Sequence, residues 1–207
     1  MVSPDGKYLF AAGRWKSAKF LDELRRRAEG DAPQQDAGRF TDPGDGRVYQ
    51  TVSIAGKTWM AESLAYKTER GSWAYNDDPG PVTQYGYLYD WATAQAAAPK
   101  GWHVATVAEW AALSEHLGGG DTASRKMRST SGWSCGGTDS VGLAALPTTA
   151  RGVNGAFAAP PDRVIWWTAT ATTPDRARYW EMSCSSFQTN AQTHRTVGLP
   201  VRCVRDE

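Results

Sequence analysis

The sequence predicts an α+β fold from three observations. The first is the C-terminal stretch from Trp166 to Arg205, which opens with the strand formers Trp166-Trp-Thr-Ala-Thr170 and closes on Val201, Cys203 and Val204. Between them Tyr179, Glu181, Ser183 and Ser185 alternate with Trp180, Met182 and Cys184, the period of a strand with one buried and one wet face. The second is a pair of breaker-free stretches, Asp90 to Ala98 and Val107 to Leu117, that read as the two main helices. The third is composition: ten Trp, eight Tyr and 21 Gly in 207 residues suit small antiparallel sheets joined by long loops better than a helix bundle.

In chain order, Ser3-Pro-Asp-Gly6 is a turn and Lys7 to Ala12 a short strand. From Arg14 to Glu29 the residues Trp15, Ala18, Leu21, Leu24 and Ala28 recur every three or four positions, with Gly30 as C-cap, so a helix is expected. Its apolar stripe offers a surface for self-association. Asp31 to Gly38 reads as a linker, which makes residues 1–39 an appendage and 40–207 the main domain. That domain opens on Phe40 and the Asp- and Gly-rich turn Thr41 to Gly46. Val48, Val52 and Ile54, the turn Ala55-Gly56, and Lys57 to Met60 then form a hairpin.

Asp90 to Ala98 is rich in Ala and ends at Pro99. Thr106 and Glu109 have capping-box spacing, and Val107, Trp110, Leu113 and Leu117 share a face until Gly118 to Gly120 end the helix. A shorter helix is expected over Asp121 to Arg128, followed by long Gly-, Ser- and Thr-rich connections through Gly155. The strands Val48–Ile54 and Val201–Val204 have no other obvious partners and are expected to pair with each other. Trp59, Trp91, Trp102, Trp110 and Trp166 are the expected core. Ser185 to Thr196 holds only Phe187 and Ala191 as apolar residues and reads as a long surface loop.

The balance of charge, +1 overall, carries no electrostatic footprint for nucleic acid. No run reaches the roughly 18 to 20 apolar residues of a membrane helix, so membrane insertion is not expected. No nucleophile elbow or spaced catalytic motif occurs, and the chain is read as a non-enzyme without a cofactor. His103, beside Trp102, is expected to be a hydrogen-bonded structural residue, and His116 to lie on a solvated helix face. Asp42 with Asp45, and Asp77 with Asp78, sit in turns that use Asp for backbone reasons, so no metal site is assigned. Cys135, Cys184 and Cys203 share no metal-ligand spacing.

Several blocks in order carry a resemblance: Phe40-Thr-Asp-Pro with Asp45-Gly-Arg-Val-Tyr49, Thr58-Trp-Met-Ala-Glu62, Gly71-Ser-Trp73, Tyr85-Gly with Leu88-Tyr-Asp-Trp91, Pro99-Lys-Gly-Trp-His103 and Val201-Arg-Cys-Val204. Together they resemble the Fibrobacter succinogenes major paralogous domain family. The resemblance implies a C-type-lectin-like fold. It also implies a kinship with variable proteins of diversity-generating retroelements, in which a C-terminal strand-and-loop segment is the mutated ligand-binding surface. Here that segment is about 166–205, and the residues expected to face a protein or other macromolecular ligand are Tyr179, Glu181, Ser183, Ser185, Phe187, Thr189, Asn190, Gln192 and His194. The calcium-dependent sugar motifs of true C-type lectins do not occur. An alternative from the broader fold is an oxidoreductase resembling the formylglycine-generating proteins, with Cys184 and Cys203 as a copper-binding pair. A second alternative is a structural or assembly module.

Relatives often carry cysteines where this chain has Ala98, Ala74 and Val82. Cys203 is therefore expected to form no disulfide, and all three thiols are expected to be free. Loss of such bridges favours a reducing compartment, hence a cytoplasmic location, the alternative being a secreted or cell-surface protein whose leader has been removed.

Overall fold

The computed structural model describes residues 8–11, 14–17, 38–158, 162–188 and 191–207. Strands β1 (Tyr8–Ala11) and β2 (Arg14–Ser17) form an antiparallel hairpin with Phe10 opposite Trp15. The expected helix from Arg14 is thus corrected at its start, where a local pairing partner overrides the helical spacing. Its remainder, 18–29, and the linker 31–37 lie outside the described residues.

The main domain begins with β3 (Arg39–Thr41), β4 (Val48–Ile54) and β5 (Lys57–Met60). The first turn is held by Asp42, whose Oδ1 accepts from the Gly44 amide at 2.8 Å, and Asp45, whose Oδ1 accepts from the Arg47 amide at 2.9 Å. These are Asx-turn roles. The second turn has Ala55 and Gly56 both at positive φ, the geometry that matches a tight hairpin to strand twist. Next come β6 (Ser72–Trp73), the single turn α1 (Val82–Tyr85), β7 (Leu88–Tyr89), α2 (Trp91–Ala97) and β8 (Trp102–Val104). Asp90 caps α2 by accepting from the Thr93 amide. Gly71 packs so close to that cap that a Cβ there would lie 2.1 Å from Thr93 Oγ1 and 2.4 Å from Asp90 Oδ2.

Helix α3 (Val107–Leu117) carries the full capping box between Thr106 and Glu109 and ends at Gly118 with φ 98°. It is followed by α4 (Gly120–Met127), the short pair β9 (Ala150–Arg151) and β10 (Phe157–Ala158), and a second sheet. That sheet consists of β11 (Arg163–Ala171), β12 (Arg176–Ser183), β13 (Phe187–Gln188) and β14 (Gln192–His194). The last strand, β15 (Cys203–Arg205), joins the first sheet, whose order is β3-β4-β5-β15-β8. The two terminal strands therefore share a sheet but do not pair directly. β5 lies between them because the tight hairpin already satisfies one edge of β4.

Each sheet buries both faces. Trp59, Trp166, Trp180, Met182, Phe187 and Val204 pack around α3 and α4 in one cluster. Met60, Trp102, Trp167, Ala177, Val201 and Cys203 form the other with Tyr89 and the buried side of α2. Trp110 is the centre of the first: its ring lies 4.7 Å from Trp59, 5.1 Å from Trp166 and 6.2 Å from Trp180, with Phe187 edge-on at 5.6 Å. Trp91 departs from expectation. It is half-buried, its indole N–H donates to the Thr168 carbonyl, and Arg195 covers its outer ring face at 4.2 Å.

His103 is hydrogen-bonded at both ring nitrogens, Nδ1 to Asp206 Oδ1 at 2.7 Å and Nε2 to Glu109 Oε1 at 2.9 Å. Lys57 bonds Glu207 and reaches Glu109 Oε1 at 3.8 Å. Burial alone would lower the His103 pKa, but the bonds to Asp206 and Glu109 outweigh it and raise it. Burial likewise opposes the charge of Glu109, and the Thr106 amide and His103 reverse that, leaving its pKa lowered.

Replacing Trp110 with Ala should cost about 3 to 5 kcal/mol, measured by urea unfolding, and Trp91→Ala clearly less. For the His103 cluster the signs are fixed by linkage. A raised imidazole contributes stability below its unfolded value of about 6.5 and loses it as pH rises through the folded value, while the lowered Glu109 loses its share as pH falls below about 4.3. The Tm deficit of His103→Gln should accordingly be largest near pH 6 and shrink towards pH 9. A deficit that does not vary with pH would show that only packing is lost.

Candidate functional site

Strand β12 is the axis of the C-terminal segment. On one side it pairs with β11, setting Trp180 opposite Trp166 and Tyr179 opposite Trp167. On its other side β13 sets Phe187 opposite Met182, and β14 sets His194, Thr193 and Gln192 opposite Arg176, Ala177 and Arg178. Residues opposite one another share a face. One face thus carries Met182, Trp180 and Phe187, continuing outward through Arg178 and Gln192 to Arg176 and His194. The other carries Ser183, Glu181, Tyr179 and Ala177.

This register divides the expected ligand-facing residues between two surfaces. Tyr179 is half-buried against the second cluster, and Glu181 pairs with Arg163 at 2.6 Å on the same face. Ser183 is tied into a turn, its hydroxyl 2.8 Å from Ser186 Oγ, while Ser185 is exposed. Gln192 and His194 belong to the opposite face. Phe187 requires correction: it is 2 % exposed and packs on Trp110 and Trp180, so it closes the core. Its polar neighbours hid a strand too short to show a period. The expected loop from Ser185 to Thr196 is likewise corrected, since β13 and β14 both hydrogen-bond to β12. Thr189 and Asn190 lie outside the described residues.

Between β11 and β14 a recess of about 440 Å³ is lined by Ala171, Thr172, Arg178, Ala191 and Gln192. Thr172 Oγ1 donates to Gln192 Oε1, which fixes one wall. The guanidinium of Arg178 has no partner among the described residues. Arg178 shares the strand face of Trp180. It lies beyond the end of the core, where register and not periodicity decides exposure.

The turn after β12 is fastened twice. Arg128, 2 % exposed, donates from Nη1 to the Cys184 carbonyl at 2.8 Å. Cys184 is disulfide-bonded to Cys135, while Cys203 is free and buried. Cys203 therefore forms no bridge, as expected, but the expectation of three free thiols is overturned. The Gly-rich loop after Trp133 brings Cys135 to the end of β12, a contact across 49 residues that spacing does not reveal. The copper-pair alternative is corrected by the same finding, since Cys184 is bonded elsewhere and Cys203 is sealed in the core with its thiol pKa raised by burial. Asp162 has a carboxylate oxygen within 4.8 Å of both bonded sulfurs, but its oxygens accept from the Ser134 amide and hydroxyl, and bonded sulfurs are not thiolate ligands.

With this geometry in hand, the comparison with known families is specific. The family model described as the Fibrobacter succinogenes major domain matches residues 52–205. The chain belongs to that family. Neither a curated protein nor a solved structure matches it. Within this Fibrobacter succinogenes major domain the match runs from the second half of β4 to β15, and so includes the second sheet, the first sheet apart from β3 and the start of β4, both main helices and the recess. Among the described residues no helix is long and apolar enough to cross a membrane.

Denatured without reductant, the protein should titrate one thiol per chain, and after reduction three. Cys135→Ser should lower stability by up to about 4 kcal/mol, the chain-entropy value for a loop of this length, read from urea midpoints with and without reductant.

Proposed function

We propose that this chain is a ligand-binding display protein with a C-type-lectin-like fold, whose segment of about 166–205 presents a variable surface to a protein or other macromolecular ligand, in the manner of a retroelement-diversified protein. The observation that carries the reading is the separation of duties within that segment. Trp166, Trp180, Met182 and Phe187 hold it to α3. Around the recess, by contrast, Thr172 and Gln192 are exposed and Arg178 is half-buried. A surface whose side chains do not support the core can change without unfolding the protein. The disulfide and Arg128 add rigidity at one end of β12, which lowers the ordering cost of binding. Two main helices, strands near both ends of the domain in one sheet, and long connections support the lectin-like arrangement.

The surface differs from the one expected from alternation alone. Its centre is the Arg178–Gln192 recess with His194, and Ser185 lies at the far end of β12. Arg176 and Arg178 on that face favour an acidic partner surface.

A library randomised at Arg178, Ser185, Gln192 and His194 should remain largely folded, each change costing within roughly 0.5 kcal/mol, and should yield binders to an acidic protein target. One randomised at Trp180, Met182 and Phe187 should be mostly unfolded. Equal loss of folding in both libraries would mean that the surface is structural and would end the display reading. Its diversified form has a separate test: a near-copy of the DNA encoding this segment, differing at adenines, beside a reverse-transcriptase gene.

A further inference from the structure

Arg202 is a buried cation with most of its donors idle. It belongs to Val201-Arg-Cys-Val204, all of it buried, and is itself 3 % exposed. Nη1 donates to the Met60 carbonyl at 3.1 Å, and Nε has no partner. Among the described residues no carboxylate lies within ion-pair distance of it. A guanidinium has five N–H donors suited to a carboxylate, and a buried charge without a counter-ion is costly. Burial lowers its pKa to about 10, opposed by the nearby charge of Glu62, so it stays charged at neutral pH.

Arg202 lines a recess of about 140 Å³ together with Glu62, Ser63, Gln84, Tyr85 and Thr148, the rest of the wall being apolar. That is the size of a cavity that accepts benzene, roughly 150 Å³, so the ligand must be small. Glu62 uses Oε1 to accept from the Gln50 amide at 3.3 Å, and its Oε2 has no partner among the described residues. Nor do the side chains of Ser63, Gln84, Tyr85 and Thr148. The recess therefore offers an unpaired cation, a carboxylate with a free oxygen, and uncommitted polar groups. A simple carboxylate would satisfy Arg202 but be repelled by Glu62, whereas an amine alone would do the reverse. A ligand carrying an ammonium and a carboxylate on one carbon satisfies both.

We propose that this recess binds a free α-amino acid with a small side chain, its carboxylate on Arg202 and its ammonium on Glu62. The site is built from the residues after β5, α1, the loop before β9 and Arg202 just before β15; Arg202 lies in the segment 166–205 but is buried away from the Arg178–Gln192 recess, so no residue is shared with the surface centred there. Its success or failure is independent of that reading.

The test is a thermal-shift and calorimetric titration of the full chain with glycine, L-alanine and L-serine, against acetate and methylamine as single-charge controls. A saturable rise in Tm is expected with an amino acid and not with either control. Arg202→Met should fold, since a buried unpaired charge replaced by an apolar side chain of similar volume is often neutral or stabilising, and should lose the response entirely. Gln84→Trp, at an exposed position that would fill the recess, should lose it without touching the buried charge. Glu62→Gln should reduce the amino-acid response to the level of acetate. No saturable response to any of the amino acids, a response to acetate equal to that for alanine, or one that survives both Arg202→Met and Gln84→Trp would overturn the proposal.

Discussion

The packing of three indoles about Trp110 is the contact on which the rest of the domain depends. Trp110 brings α3 against Trp59 from the first sheet and Trp166 and Trp180 from the second, so one side chain fixes the relative position of three elements far apart in sequence. Aromatic pairs of this kind add about 0.5 to 1.5 kcal/mol each beyond the area they bury. The arrangement also has a cost, since the indole N–H groups of Trp59, Trp110, Trp166 and Trp180 are buried without hydrogen-bond partners. Packing area outweighs that penalty here, and no polar group directs the stack into an alternative geometry.

From this anchor the proposed surface follows by subtraction. Strand β12 gives Trp180 and Met182 to the stack at one end and runs beyond it at the other, so the same face that is sealed near Trp180 opens to water at Arg178 and Arg176. The recess forms where the core stops. Arg195 extends that region by covering Trp91 and donating to the Arg176 carbonyl at 3.2 Å, which ties the end of β14 back to both β12 and α2.

Much of the domain was legible because it is determined locally. Asp90 and the capping box at Thr106 and Glu109 mark helix starts by chemistry confined to one turn, and Ala55-Gly56 marks a hairpin by its backbone conformation. Trp59, Trp102, Trp110 and Trp166 were readable as core from size alone. What the sequence did not disclose is determined by distant partners. Phe187 and Gln192 to His194 are strands only because β12 lies beside them. Cys135 meets Cys184 through a loop without periodicity, and Arg14 to Ser17 takes its strand form from Tyr8 to Ala11. The candidate surface was half legible for the same reason: alternation identified β12 and its buried residues, but the division of Gln192 and His194 from Tyr179 and Glu181 is a matter of register, which no single strand contains.

The stretch from Arg195 to Arg205 is the seam of the molecule. Along it the Arg195 carbonyl accepts from Trp91, Leu199 bridges to Tyr89, the Pro200 carbonyl accepts from Trp167, that of Arg202 accepts from Ala105, and Val204 lies opposite Trp59. A growing chain that has not yet emitted these residues lacks β15, which joins β5 to β8 in the first sheet, and lacks the seam's hydrogen bonds to the second, so the domain can close only after nearly all of it has left the ribosome. If the adjoining strand is a place where sequence is allowed to vary, this timing becomes a filter. A variant whose new side chains disturb the seam never completes a core and is exposed to proteases as an open chain, whereas one whose changes stay around the recess folds. The order of synthesis thereby couples the freedom to alter the surface to a check on the fold that carries it.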